Sequence, residues 1–269
     1  MSVTVWKRFV AVGDSISEGL CDPAPTTLGT TPGPEWLGWA DRLAVILDGS
    51  AHLSGREIEF ANLAVRGRRI EHVVTDQIPA AIRLGADLVS VMVGGNDLMS
   101  AKADPDKLAA HLEDGIVKLR ESGADVLLAN CFDPQFAFFL KPLRGRAAVF
   151  NANIWSIARA HGATVLDLWG IEEFRQTSMW AADRVHLSAE GHRLLASRAA
   201  HSLGVPYAEV AARSLPPVSS LAVDRDTHTV AQWFRRYALP WIVRRVRRVS
   251  TGDGISPKLP HPASVRAHH

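Results

Sequence analysis

Short apolar runs alternate with helix-patterned segments five times along the chain, and that alternation restricts the possible folds more than any other feature. The runs are Arg8–Val12, Ile58–Leu63, Asp87–Val93, Asp125–Asn130 and Thr164–Asp167. Each is too short for a helix of ordinary length, and the apolar residues run almost without a break, as in strands covered on both faces. Between them, apolar residues recur at helical spacing in Trp36–Leu47, from about Ile70, in Pro105–Ser122, in Arg146–His161 and in Ala189–Leu203. Pro105 suits a first helical turn, and Gly123, Gly162 and Gly204 stand just past helix ends. Strands that alternate with helices predict an α/β fold, a parallel sheet with helices on both faces. Ligands in such sheets sit outside the carboxyl ends of the strands. Those ends carry Gly13-Asp14-Ser15, Asn62 and Gly94-Gly95-Asn96-Asp97, so polar groups and glycines gather on one edge. Two irregular stretches, Cys21–Glu35 and Phe132–Arg146, follow strands and are expected to overhang that edge.

The 269 residues suit one domain of about 200 residues (1–204) plus a C-terminal extension (205–269). Charge is unevenly divided: residues 205–269 carry a net +6 and the rest a net −4. Cys21 and Cys131 are the only cysteines and form no CxxC pair, which argues against a zinc knuckle or a disulfide scaffold. The first residues lack the apolar run and small-residue cleavage site of a secretion signal. No run reaches the ~18 apolar residues of a membrane span. The expectation is a soluble, cytoplasmic protein with reduced thiols.

Two short motifs carry groups suited to nucleophilic chemistry. Ser15 follows the first strand, and a serine hydroxyl becomes a useful nucleophile only when a base takes its proton. Asp183-Arg-Val-His186 lies just before the last helix, and its spacing lets a carboxylate and an imidazole face one cavity from one turn. An aspartate so placed fixes the histidine tautomer and stabilises the imidazolium. Read singly, Ser15 is as well explained as a helix cap, and DxxH as a surface turn. His111, His161 and His192 are rival histidines, each read as a solvated or partly packed helix residue. Attack on a carbonyl also needs donors aimed at the developing oxyanion. The backbone N–H groups of Ser15 and Gly67 and the side-chain amide of Asn96 are the candidates. No GxGxxG or GxxxxGK[ST] follows the first strand, so nucleotide binding has no support.

Taken together, Gly13-Asp14-Ser15, Asn62-Leu-Ala-Val-Arg-Gly67, Gly94-Gly95-Asn96-Asp97 and Asp183-Arg-Val-His186 resemble the SGNH hydrolases, also called GDSL esterases and lipases. The resemblance covers roughly residues 8–203, with Ile16 in place of the leucine of the name-giving motif. It implies a flavodoxin-like three-layer α/β/α sandwich with a five-stranded parallel sheet in the order 2-1-3-4-5. It also implies hydrolysis of carboxylic esters through an acyl-enzyme. Ser15 is then the nucleophile, His186 the base and Asp183 its orienting acid. Ser15, Gly67 and Asn96 supply the oxyanion hole, while Asp14 and Asp97 organise loops. No metal or organic cofactor is implied. Acyl transfer or removal of O-acetyl groups from a carbohydrate uses the same residues, and a non-catalytic ligand-binding member of the fold is the alternative of another class. Phe132, Phe136 and Phe138 follow the fourth strand and are candidates for an acyl-binding wall.

The extension has its own pattern. Trp233, Tyr237 and Trp241 recur at helical spacing, as do Ile242, Val246 and Val249, with Arg244, Arg245, Arg247 and Arg248 between them. Pro240 breaks or kinks this basic amphipathic segment. Residues 232–249 are therefore a candidate surface for an anionic membrane or an acidic partner, or for docking on the acidic body. Nucleic acid is disfavoured, because no recognised binding motif accompanies the arginines. The Pro- and His-rich end, Gly252–His269, reads as disordered.

Overall fold

The computed structural model describes residues 6–24, 36–205, 232, 235–236 and 251–265. The elements run in this order: β1 (Arg8–Gly13), α1 (Ser15–Glu18), α2 (Trp39–His52), β2 (Glu59–Asn62) and α3 (Ile70–His72). One π-helical stretch (Val73–Gln77) joins α3 to α4 (Ile78–Arg83). Then come β3 (Leu88–Met92), α5 (Gly95–Leu98), α6 (Pro105–Glu121), β4 (Asp125–Ala129), α7 (Arg144–His161), β5 (Thr164–Leu166), α8 (Ala189–Ser202) and β6 (Leu259–Ser264).

The sheet order is β5-β4-β3-β1-β2-β6. The first five strands pair in parallel, in the 2-1-3-4-5 order that the family resemblance implies. Alternation along each strand divides the core in two. Phe9, Ala11, Leu127 and Ala129 face the layer that holds α2 and α8. Val10, Val12, Val89, Val91, Val126 and Leu128 face the layer that holds α6 and α7. This is the period-two geometry of a strand buried on both faces.

The five-stranded expectation is corrected to six. The added strand, β6, comes from the stretch expected to be disordered and pairs antiparallel with β2. Pro260 and Pro262 hid it, since proline cannot donate to a ladder. At a sheet edge one side of the strand needs no partner, and proline is tolerated there. Lys258, just before β6, donates from Nζ to the Leu37 carbonyl, to the Trp36 carbonyl at 3.0 Å and to Asp41 Oδ2 at 2.7 Å. Gly252 lies so close to the chain after β2 that a Cβ there would meet the Arg66 carbonyl oxygen at 2.0 Å. Apart from Gln232, Arg235 and Arg236, the amphipathic stretch 232–249 lies outside the described residues.

Candidate active site

The site begins at a forced turn. At Gly13 the chain leaves β1 with φ 150°, and a Cβ would stand 2.2 Å from the Met92 carbonyl oxygen. Only glycine fits between β1 and β3 there. Buried Gln77, from the π-helical stretch, clamps the turn. Its Oε1 accepts from Gly13 N–H at 2.7 Å, and its Nε2 donates to the Gly13 carbonyl at 3.0 Å. Asp14 caps α1 by accepting from the Ile16 N–H at 3.2 Å, which leaves Ser15 as the first helical residue, at the carboxyl edge of the sheet.

His186 meets it from the other side. Its Nε2 lies 2.9 Å from Ser15 Oγ, and its Nδ1 lies 2.6 Å from Asp183 Oδ2. The other carboxylate oxygen of Asp183 accepts from the N–H groups of Val185 at 2.9 Å and His186 at 3.0 Å. Arg184, at φ 56°, makes the tight turn that lets one carboxylate reach both backbone and ring. Ser15, His186 and Asp183 thus form one continuous hydrogen-bonded chain. Burial pushes the Asp183 carboxyl up, but the neighbouring imidazole and the hydrogen bonds outweigh it and hold the acid below its ordinary value. Burial likewise pushes His186 down, and the charge and hydrogen bond of Asp183, helped by Asp14, outweigh it, leaving the imidazole more basic than usual.

The remaining motif residues surround this chain. Asn96 is partly buried and donates from Nδ2 to the Arg68 carbonyl at 3.0 Å and, more loosely, to Asp14 Oδ2 at 3.3 Å. Gly67 adopts φ 73° in the loop after β2. That loop is fixed to α1 by Glu18, whose carboxylate accepts from Arg66 N–H at 2.6 Å and from its guanidinium at 2.5 Å. Asn62 adds a second tie, donating to the Ser17 carbonyl at 2.8 Å. Asp97 accepts from Ile70 N–H at 3.2 Å and so joins α5 to α3. Burial raises the Asp14 and Asp97 carboxyls to about 6.

An apolar cavity of about 150 Å³ opens beside Ser15. Asn96, Cys131, Phe132, Phe136 and Trp180 contribute to its lining; Gly67 does not. Phe136 stacks on Trp180 with ring centroids 3.7 Å apart, and Phe132 meets Trp180 edge-on at 5.1 Å. Phe138 points elsewhere: it is 55% exposed, packs edge-on against Phe139 and lines no part of the cavity. Gln77, Glu18 and Trp180 were not anticipated. A glutamine among the apolar residues of a helix gives no sign that it clamps a turn 64 residues away.

The rival histidines are all engaged elsewhere. His161 pairs with Glu113 at 2.7 Å and His111 lies 3.7 Å from Asp114. His192, expected to be solvated or partly packed, is instead wholly buried. The apolar positions of α8 turn that face inward, and the backbone supplies the ring's partners.

The model of the GDSL-like lipase/acylhydrolase family matches residues 11–194, which span every one of these motifs. The chain belongs to that family. Its membership places it among hydrolases that cleave esters in the broad sense. Solved structures show the same fold at low identity. Axe2, an acetylxylan esterase from Geobacillus stearothermophilus, superposes with TM-score 0.62 at 19% identity, over 77% of this chain and 98% of that one. LAE5, an α/β hydrolase enzyme from the metagenome of Lake Arreo, Spain, gives 0.60 at 18%, over 74% and 95%. A protein named as a GDSL-like lipase from Parabacteroides merdae gives 0.62 at 15%, over 77% and 100%. Among curated proteins, none matches the sequence. No helix of this GDSL-family chain, among the described residues, is long and apolar enough to cross a membrane.

Proposed function

We propose that this chain hydrolyses short-chain carboxylic esters through an acyl-enzyme on Ser15. One observation carries the reading: the hydrogen-bonded chain Ser15–His186–Asp183 opens onto a small apolar cavity. His186 Nε2 takes the Ser15 proton as Oγ attacks the ester carbonyl carbon. The resulting imidazolium is stabilised by Asp183, which stays ionised. The tetrahedral intermediate collapses, the C–O bond to the alcohol breaks, and the alcohol leaves with the proton from His186. Water, deprotonated by His186, then cleaves the Ser15 ester and releases the acid.

Charge on the former carbonyl oxygen is met by the N–H groups of Ser15 and Gly67 and by the Asn96 amide. In the resting site the Asn96 bond to Asp14 is the longer of its two, so that proton is the one to be handed to the oxyanion. The bond to the Arg68 carbonyl keeps the amide aimed. A cavity of about 150 Å³ is the size that accepts a benzene-sized group, about six carbons, so the acyl portion is short.

Removal of acetyl groups from a carbohydrate is the second reading. Phe136, partly exposed and backed by the buried Trp180 at 3.7 Å, offers the flat aromatic face on which a sugar ring packs. The Axe2 structures include catalytic mutants in which a serine, an aspartate and a histidine are each changed to alanine, the last two spaced as Asp183 and His186 are here. A panel of p-nitrophenyl esters and acetylated xylo-oligosaccharides tests both readings. Turnover is expected to peak at ~C2–C6 acyl chains and fall for longer ones. Turnover that increases steadily toward long chains contradicts the cavity argument, and activity retained by Ser15→Ala contradicts the mechanism.

A further inference from the structure

Cys21 plays no part in the mechanism above, yet it sits against it. Among the described residues, Cys21 Sγ, a carboxylate oxygen of Asp183 and a ring nitrogen of His186 lie within 4.8 Å of one another. A thiol, a carboxylate and an imidazole are the three donor types that hold zinc in protein sites, with a water filling the fourth tetrahedral position. At ordinary zinc–ligand lengths such donors stand about 3.3–3.6 Å apart. Reaching that geometry takes shifts of about an ångström: separations of up to 4.8 Å close, and the contact of Asp183 with His186 opens.

The backbone that presents Cys21 is itself held. Cys21 adopts φ 70° in a turn closed by the Asp22 N–H to the Gly19 carbonyl at 3.1 Å. Asp22 is locked next to it by Arg42, through bonds of 2.8 and 2.9 Å, with 2% and 1% of their side chains exposed. On the other side of the trio, Asp183 and His186 are hydrogen-bonded to each other at 2.6 Å, and a cation must part them by about 0.7 Å. The three donors therefore converge from two anchored turns, one after α1 and one before α8.

We propose that Cys21, Asp183 and His186 form a binding site for a thiophilic divalent cation such as zinc, and that occupation of this site switches off ester hydrolysis. Binding exchanges the thiol proton for the metal: Cys21 S–H gives a metal–thiolate bond, and one proton goes to solvent. A cation seated among the three donors breaks the hydrogen bond of the imidazole to Asp183 or that to Ser15. In either case the ring no longer takes the serine proton. Burial and the nearby Asp183 carboxylate push the Cys21 thiol up to about 12, and the Arg66 guanidinium pulls it down, so the free thiol is protonated and inert as a nucleophile. A thiophilic metal overcomes that, because the deprotonated sulfur is bound directly to it. Hard cations such as magnesium gain little from a sulfur donor and are excluded.

The inhibitory half of this proposal rests on the proposed mechanism; the binding half does not, and the test separates them. Cobalt(II) is titrated into metal-free wild type, Cys21→Ser and Cys131→Ser, reading the thiolate-to-cobalt charge-transfer band. Zinc inhibition of ester turnover is measured on the same three proteins. The band is expected in wild type and Cys131→Ser and absent in Cys21→Ser. The zinc concentration for half inhibition rises at least ~100-fold in Cys21→Ser, because loss of even an outer partner of a ligand costs 10–100-fold. Uninhibited Cys21→Ser is expected to turn over ester at the wild-type rate. No cobalt band in wild type, or zinc inhibition unchanged in Cys21→Ser, overturns the site. If no ester is turned over at all, the mechanism fails, while the cobalt band still decides the site.

Discussion

Two imidazoles six residues apart, His186 and His192, experience opposite surroundings, and the difference is why one of them is proposed as the base. His186 stands in the turn before α8 with a carboxylate on one nitrogen and a hydroxyl on the other. His192 stands inside α8, and both its partners are backbone groups: Nδ1 accepts from the Trp39 N–H at 3.2 Å and Nε2 faces the Leu20 carbonyl at 3.0 Å. Burial holds His192 down at about 4, the pull of Asp22 being too weak to restore it. Burial acts on His186 as well, but there Asp183 wins and the ring stays basic. In the proposed mechanism the partner carboxylate, not proximity to the sheet edge, fits His186 to act as the base. His192 instead ties the chain at Leu20 to the chain at Trp39.

The largest expected effect breaks the pair apart. His186→Ala is expected to lower kcat by roughly 10⁴–10⁶, since base and nucleophile act as one unit. His192→Ala, assayed well below its melting temperature, is expected to keep kcat within about threefold. It is expected to lose about 2–4 kcal/mol of stability through a cavity and an orphaned Trp39 N–H. Equal losses of kcat in the two variants would erase the distinction.

Asp183→Asn sharpens the cause. It keeps the shape but removes the charge, and a drop of ~10⁴ in kcat is expected. The acid limb of kcat/KM in wild type, to be measured with a chelator present, is expected above the ordinary imidazole value of 6.5, because Asp183 makes the His186 ring more basic than usual. Turnover requires neutral His186, so activity falls as pH drops through that limb. In Asp183→Asn the limb is expected to move down, and an unmoved limb would mean that another group sets it.

Asn96→Ala comes next, with an expected loss of ~10²–10³ in kcat and little change in KM, because the contact strengthens only in the transition state. A raised KM with unchanged kcat makes Asn96 a binding residue instead.

The smallest effect tests the core histidine through stability. The folded pKa of His192, about 4, lies below its ordinary 6.5, so unfolded chains bind the proton more readily. Its contribution is complete above pH 6.5 and is lost as pH falls from there toward 4, on the order of 3 kcal/mol in all. Asp14, Asp41 and Asp97, raised to about 6, act in the opposite direction over the lower part of this window. The measurement is therefore the difference in unfolding free energy between wild type and His192→Ala, which is expected to shrink as pH falls. A difference that stays constant with pH contradicts the buried neutral ring.

The parallel strands and the four motifs were legible because apolar runs and glycine-rich strand ends are local signals. The turn at Gly13 was legible for the same reason, as a glycine at a strand end, but the close approach to Met92 that demands it was not. What the sequence hid was long-range. Gln77 acts across 64 residues, Glu18 reaches Arg66 across 48, and Lys258 ties to Leu37 across 221. Nothing near any of them in the chain marks the partner. β6 was hidden by its prolines, which signal irregular chain everywhere except at an edge. Phe138 belongs to the same run after β4 as Phe132 and Phe136, but it is exposed to solvent.

The central claim is that Ser15 is a nucleophile only because His186, held by Asp183, takes its proton. Reaction with a fluorophosphonate, followed by peptide mass spectrometry, tests it without any assumption about the natural ester. Wild type is expected to carry the label on Ser15 alone, Asp183→Asn to react slowly, and His186→Ala to remain unlabelled over the same period. Labelling of Ser15 in His186→Ala at the wild-type rate, or a label on another residue, would contradict the account.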